Sequence, residues 1–144
     1  MEKQDKKIFN VEVKKISDKQ AVVQAHGQKL IFSIKGNDPA LGLTAPETVL
    51  GAFGLCIISN ITKEAAEMGL RVGGVVIEFE ALKRTTPLGF EDLHYSVTIQ
   101  SDESAEKLRE LFERATTNGT ATNALLEGLK PNGELHIKVN ENDI

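Results

Sequence analysis

Residues 45–70, APETVLGAFGLCIISNITKEAAEMGL, hold the longest apolar pattern in the chain, and their reading sets the rest of the fold. Pro46 suits the first turn of a helix, Thr44 or Ala45 its cap, and Gly69 its stop, so a helix is expected from about Pro46 to Gly69. Val49, Leu50, Ala52, Phe53, Leu55, Cys56, Ile57, Ile58 and Ile61 cover nearly its whole circumference, which asks for burial on all sides. The continuous apolar run falls short of the ~20 residues that a bilayer span needs, and Ser59, Asn60 and Thr62 interrupt it. Gly51 and Gly54 each cost about 1 kcal/mol against alanine within a helix, which reads either as close approach by another backbone or, for each glycine alone, as a tolerated weak spot.

Ahead of this helix, residues 7–35 read as three short strands, KIFNVEVKKI, QAVVQAHG and QKLIFSI, parted by turns at SDK and HGQ and forming an antiparallel meander. The loop KGNDPALGLTAP then leads into the helix and is the loop best placed to line a site. Behind it, VGGVVIEFEALKRT and FEDLHYSVTIQS form a long hairpin around TPLG. A second helix is expected over residues 103–116, capped by Ser101 or Asp102, with Asn118-Gly119 ending it in a left-handed turn. A short helix, TATNALLEG, and a last strand, ELHIKVN, complete the order βββαββααβ. Strands grouped apart from helices make the class α+β.

The 144 residues make one domain, 1–144, and 40% hydrophobic with 26% charged residues is the composition of a chain with a packed core. A net charge of −4 offers no basic face for phosphates, so neither nucleic acid nor membrane is an expected partner. MEKQDKK has no apolar stretch behind it, and a cytoplasmic location is the expectation. The single cysteine, Cys56, excludes an internal disulfide and fits a reducing compartment. In the middle of an apolar helix it reads either as a buried, inert thiol or as a nucleophile that needs a neighbouring cation. Lys35, just before the glycine loop, is one candidate for that cation, and an arginine from elsewhere is the other. Glu47 lies nine residues before Cys56, about 13 Å along the axis and on the opposite face. It either orients such a cation or simply suits the helix N-terminus. His26, His94 and His136 lack the spacing of metal ligands, and no cofactor motif is present, so neither metal nor cofactor is expected.

The stretch 45–70 and the segment ATTNGTATNALLEG, in this order and spacing, resemble the OsmC/Ohr superfamily of small thiol-dependent peroxide-reducing proteins. The resemblance implies an OsmC-like fold and an intertwined homodimer, with two long central helices packed inside a pair of wrapping antiparallel sheets. It also implies that Cys56 attacks a hydroperoxide to give a sulfenic acid, which a second cysteine resolves in the family. There, an arginine positioned by the acid that Glu47 resembles holds the thiolate. In this chain Gly119, followed by Thr120, Ala121 and Thr122, stands where the second cysteine falls, and Lys35 is the best match to the arginine. The implied function is a one-cysteine hydroperoxide reductase, with Cys56, Glu47 and Lys35 at its site and an external thiol as reductant. The alternative is a non-catalytic dimer of the same fold that binds a small apolar or thiol ligand at the subunit interface.

Overall fold

The turn residues placed between the first apolar runs do close a meander. In the computed structural model, which describes residues 7–36, 38–117, 119–128 and 131–138, β1 (Glu12–Lys15), β2 (Gln20–Ala25) and β3 (Gln28–Ser33) form an antiparallel sheet in that order. His26 and Gly27 both take positive φ, 53° and 78°, and Ala25 pairs with Gln28. This is the two-residue hairpin turn whose twist matches that of the strands it joins. β1 is shorter than the 7–16 run expected, pairing with β2 only from Glu12 to Lys15. The loop after β3 folds back on the sheet. Ser33 N–H donates to Leu43 O at 2.9 Å, and Gln20 Nε2 donates to Leu41 O at 3.0 Å. At Gly42, with φ of 114°, a Cβ would meet Ile31 O at 2.9 Å, so the close return requires glycine.

α1 runs from Ala45 to Met68. Thr44 caps it and Glu47 returns the favour: Glu47 N–H donates to Thr44 Oγ1, while Glu47 Oε1 accepts from Thr44 N–H at 2.9 Å. Such a reciprocal box satisfies two donors that the first turn leaves without helical partners. Gly69, left-handed at φ 69°, ends the helix and donates back to Ala65 and Ala66. The all-round burial expected of α1 is not met by this chain. Phe53, Ile57, Ile61 and Ala65 are buried, whereas Leu55 on the other side is 71% exposed. By length and composition α1 also qualifies as a membrane span, contrary to the reading from continuous apolar residues. Its buried side packs on protein instead, against α2, α3 and the hairpin.

That hairpin is β4 (Val75–Thr85) with β5 (Leu88–Ile99), paired from Val75↔Ile99 to Thr85↔Leu88, with an irregularity between Glu80 and Leu82. Val75, Ile77 and Phe79 turn toward α1, and Glu78 and Glu80 turn to solvent. Phe53, Phe79 and Tyr95 form a triangle of rings with centroids 5.5–5.6 Å apart. Gly54 is closely approached, but by the Phe79 ring, 3.0 Å from where a Cβ would sit, and not by backbone; a Cβ at Gly51 would meet nothing. α2 (Ala105–Thr117) begins later than expected because Ser104, not Ser101 or Asp102, caps it, its Oγ accepting from Lys107 N–H. Leu111 and Ala115 complete the core with Ile57 and Ile61. α3 (Thr120–Glu127) follows.

The last expected strand, 134–140, is not formed in its described part. Residues 134–138 belong to no strand, and Leu135 and Ile137 are 82% and 85% exposed. A strand exists by pairing, and an alternating segment that finds no edge stays unpaired; residues 139–140 lie outside the described residues. The core itself sets a measurable expectation. Ile61 has no exposed surface, so Ile61→Ala should cost about 3 kcal/mol through lost burial and the cavity left behind. Denaturant unfolding followed by circular dichroism reads this, and a change below about 1 kcal/mol would show that the site collapses around the gap.

Candidate functional site

Cys56 lies on the flank of α1 between its buried and exposed sides and is half-buried. One turn on, Asn60 points its Nδ2 at the sulfur from 3.9 Å and donates to Ala115 O in α2 at 3.0 Å. The carboxamide thereby fixes the end of α2 against the turn of α1 that carries the thiol. The chain then passes into α3, whose N-cap is Gly119 at φ −156°, ψ 142°. Gly119 is thus extended and opens α3; it does not take the left-handed turn expected of it. No side chain caps α3.

The tightest feature of the site is at that glycine. A Cβ built on Gly119 would lie 2.5 Å from Asn60 Nδ2, 2.7 Å from Cys56 Sγ and 3.4 Å from Thr122 Oγ1. Three polar side-chain atoms from α1 and α3 therefore converge beside the N-terminus of α3, and only glycine admits them all. Thr122 is 2% exposed, and its hydroxyl finds no hydrogen-bond partner among the described residues. A buried donor left so carries a desolvation cost that an acceptor would relieve.

The other two residues singled out in the sequence lie toward the other end of α1. Glu47 is exposed, and the Thr44 backbone N–H and then the Thr44 hydroxyl hold its carboxyl below the usual range. It lines an open groove of about 760 Å³ between the end of β3, the glycine loop and the start of α1, where Ile34 and Gly36, the neighbours of Lys35, are also lining residues. Lys35 itself is exposed, its backbone held by the Ser33 hydroxyl. One chain thus places Glu47 beside the loop of Lys35, and Cys56 beside Gly119. Asn60 was open to sequence reading, since it sits four residues after Cys56 and so on the same helix face. Thr122 was not, because its approach depends on how α3 docks.

The sequence profile of the family described as OsmC-like protein matches residues 35–132, more than half of the chain and all of the site just described. The chain belongs to the OsmC-like family. None of the curated proteins matches its sequence. Among solved structures, the fold of this OsmC-like chain is similar to an OsmC-like protein from Mycoplasma pneumoniae, with a TM-score of 0.76 at 16% identity over 87% of this chain and 90% of that one. It is also similar to the OsmC-like protein of unknown function from Vibrio cholerae, with a TM-score of 0.64 at 14% identity, covering 83% and 94%. The organic hydroperoxide resistance protein OhrB of Bacillus subtilis gives a TM-score of 0.60 at 16% identity, covering 84% and 92%. At these identities the likeness is one of fold.

Proposed function

We propose that this OsmC-like chain is a one-cysteine hydroperoxide reductase that works as a homodimer. The observation that carries the reading is the sulfur of Cys56 closing on Gly119, the position that resembles the family's second cysteine. The lone thiol stands where a peroxidatic sulfur faces its resolving partner, with glycine in the partner's place. The Cys56 thiolate attacks one oxygen of a hydroperoxide. The O–O bond breaks, the alkoxide leaves and takes a proton to become an alcohol, and Cys56 is left as a sulfenic acid. With one cysteine in the chain, the return needs an external thiol. Its sulfur bonds to Cys56 and water leaves; a second thiol then releases Cys56 and departs as the disulfide.

The homodimer is supported by apolar surface that one chain leaves open, Val49 and Leu55 on α1 and Leu30 and Ile31 on β3 among it. In that assembly Lys35 of the second copy supplies the cation for Cys56, and Glu47 orients it through a carboxylate already fixed by Thr44. Mass spectrometry after substoichiometric hydroperoxide tests the reading against Cys56→Ser. A rapid one-oxygen or mixed-disulfide adduct confined to Cys56, and turnover only with added thiol, are expected. A protein that yields no such adduct is instead the non-catalytic dimer that binds a small apolar or thiol ligand.

A further inference from the structure

The convergence at Gly119 has a chemical direction. Cys56 Sγ stands 2.7 Å, and the orphaned Thr122 hydroxyl 3.4 Å, from one point beside the first residue of α3. The helix begins there without a side-chain cap. A helix N-terminus carries about half a positive charge and favours an anion, and a thiol placed there ionises more readily. A buried hydroxyl with no acceptor and a sulfur that becomes an acceptor on ionising complement each other.

We propose that ionised Cys56 is the anion bound at the N-terminus of α3, and that Thr122 is its positioning residue, donating its hydroxyl to the sulfur. This rests on the reading of Cys56 as a reactive thiol and names what ionises it within one chain. On α1, Glu47, Lys63 and Glu64 are seven or more residues from Cys56. On α2, Arg114 is engaged with Glu110 at 2.8 Å and Glu64 at 3.9 Å. α3 has one ionisable side chain, Glu127, at its far end, and Glu78 and Glu80 of β4 face away from the core. Among the described residues, the dipoles around the sulfur include Asn60 Nδ2, the start of α3 and the Thr122 hydroxyl.

The test is the ionisation of Cys56 in the full chain, read from thiolate absorbance and from the pH profile of iodoacetamide alkylation. Thr122→Val keeps the shape and removes the donor, and should raise the midpoint by about one pH unit, a tenfold change in the ionisation constant. Thr122→Ser should restore it, an outcome that a packing role does not give. An unchanged midpoint in Thr122→Val overturns the proposal, as does a midpoint that moves only with Lys35→Gln. If Thr122→Val folds poorly by circular dichroism, Thr122→Ser and Thr122→Ala decide: the proposal requires the serine variant to keep the midpoint and the alanine variant to raise it. Hydroperoxide turnover is measured separately. Absence of turnover with a Thr122-dependent midpoint refutes the reductase reading alone, and turnover with a Thr122-independent midpoint refutes this inference alone.

Discussion

Gly119→Cys is expected to close a disulfide with Cys56 and to convert a one-thiol site into a two-thiol one. The Cβ of the new side chain would begin 2.7 Å from Cys56 Sγ. In an unstrained disulfide each Cβ lies about 3 Å from the sulfur across the bond, so an opening of a few tenths of an ångström suffices. Asn60 Nδ2, at 2.5 Å from the same Cβ, must swing aside and strain its bond to Ala115 O. The loop closed by the bond spans roughly 60 residues, for which the chain-entropy limit is about 4 kcal/mol, and the displaced carboxamide returns about 1 kcal/mol of that. The oxidised variant should therefore unfold at a free energy about 3 kcal/mol above its reduced form. Peroxide should leave an internal disulfide where the parent leaves a sulfenic acid or a mixed disulfide. Thiol titration after mild oxidation decides the matter: two titratable thiols that persist would mean that the two positions never meet.

The fold was readable in the sequence wherever a local signal and its tertiary use agree. Thr44, Pro46 and Gly69 mark the ends of α1 because caps act within one turn of backbone, and the two-residue turn at His26-Gly27 follows from its glycine and its short span. The reading failed where the answer depends on a partner. Ile8 looks like a strand residue, but the register that sets Glu12 against Gln24 carries it past the end of β2, and Leu135 and Ile137 alternate as a strand does yet belong to no strand among the described residues. Ser101, Asp102 and Ser104, three cap-forming residues within four positions, are equivalent in the sequence, and the start of α2 falls to Ser104 where Ser101 and Glu103 bond the backbone of Arg71. The site divides in the same way. Cys56 and Glu47 could be found by residue type and spacing along one helix. The meeting of Cys56 with Gly119 across 63 positions, and the buried hydroxyl of Thr122, arise only from docking α3 on α1.

Leu55→Asp is expected to take the proposed dimer apart while leaving the chain folded. Leu55 is 71% exposed, although it lies one residue before Cys56 and two before the fully buried Ile57. Its neighbours on that side, Gly51 one turn before and Ser59 one turn after, are small and exposed, and a Cβ at Gly51 meets nothing in this chain. Small residues flanking a leucine allow a second helix to come close, and in a twofold assembly the same leucine is buried from both sides. An aspartate there places two like carboxylates in one desolvated seam, each without a partner, at a cost of about 4 kcal/mol or more. The dimer dissociation constant should rise by about a thousandfold. The monomer should keep its helical signal, because Phe53, Ile57 and Ile61 face α2 and the hairpin on the other side. Sedimentation against protein concentration reads the shift, and a parent that already sediments at 15.7 kDa removes the dimer from the proposal. Activity separates the sources of thiolate stabilisation. If Lys35 of the second copy is needed, peroxide turnover falls in step with the dimer fraction. If the start of α3 and Thr122 suffice, the dissociated chain still ionises Cys56, and turnover survives dilution.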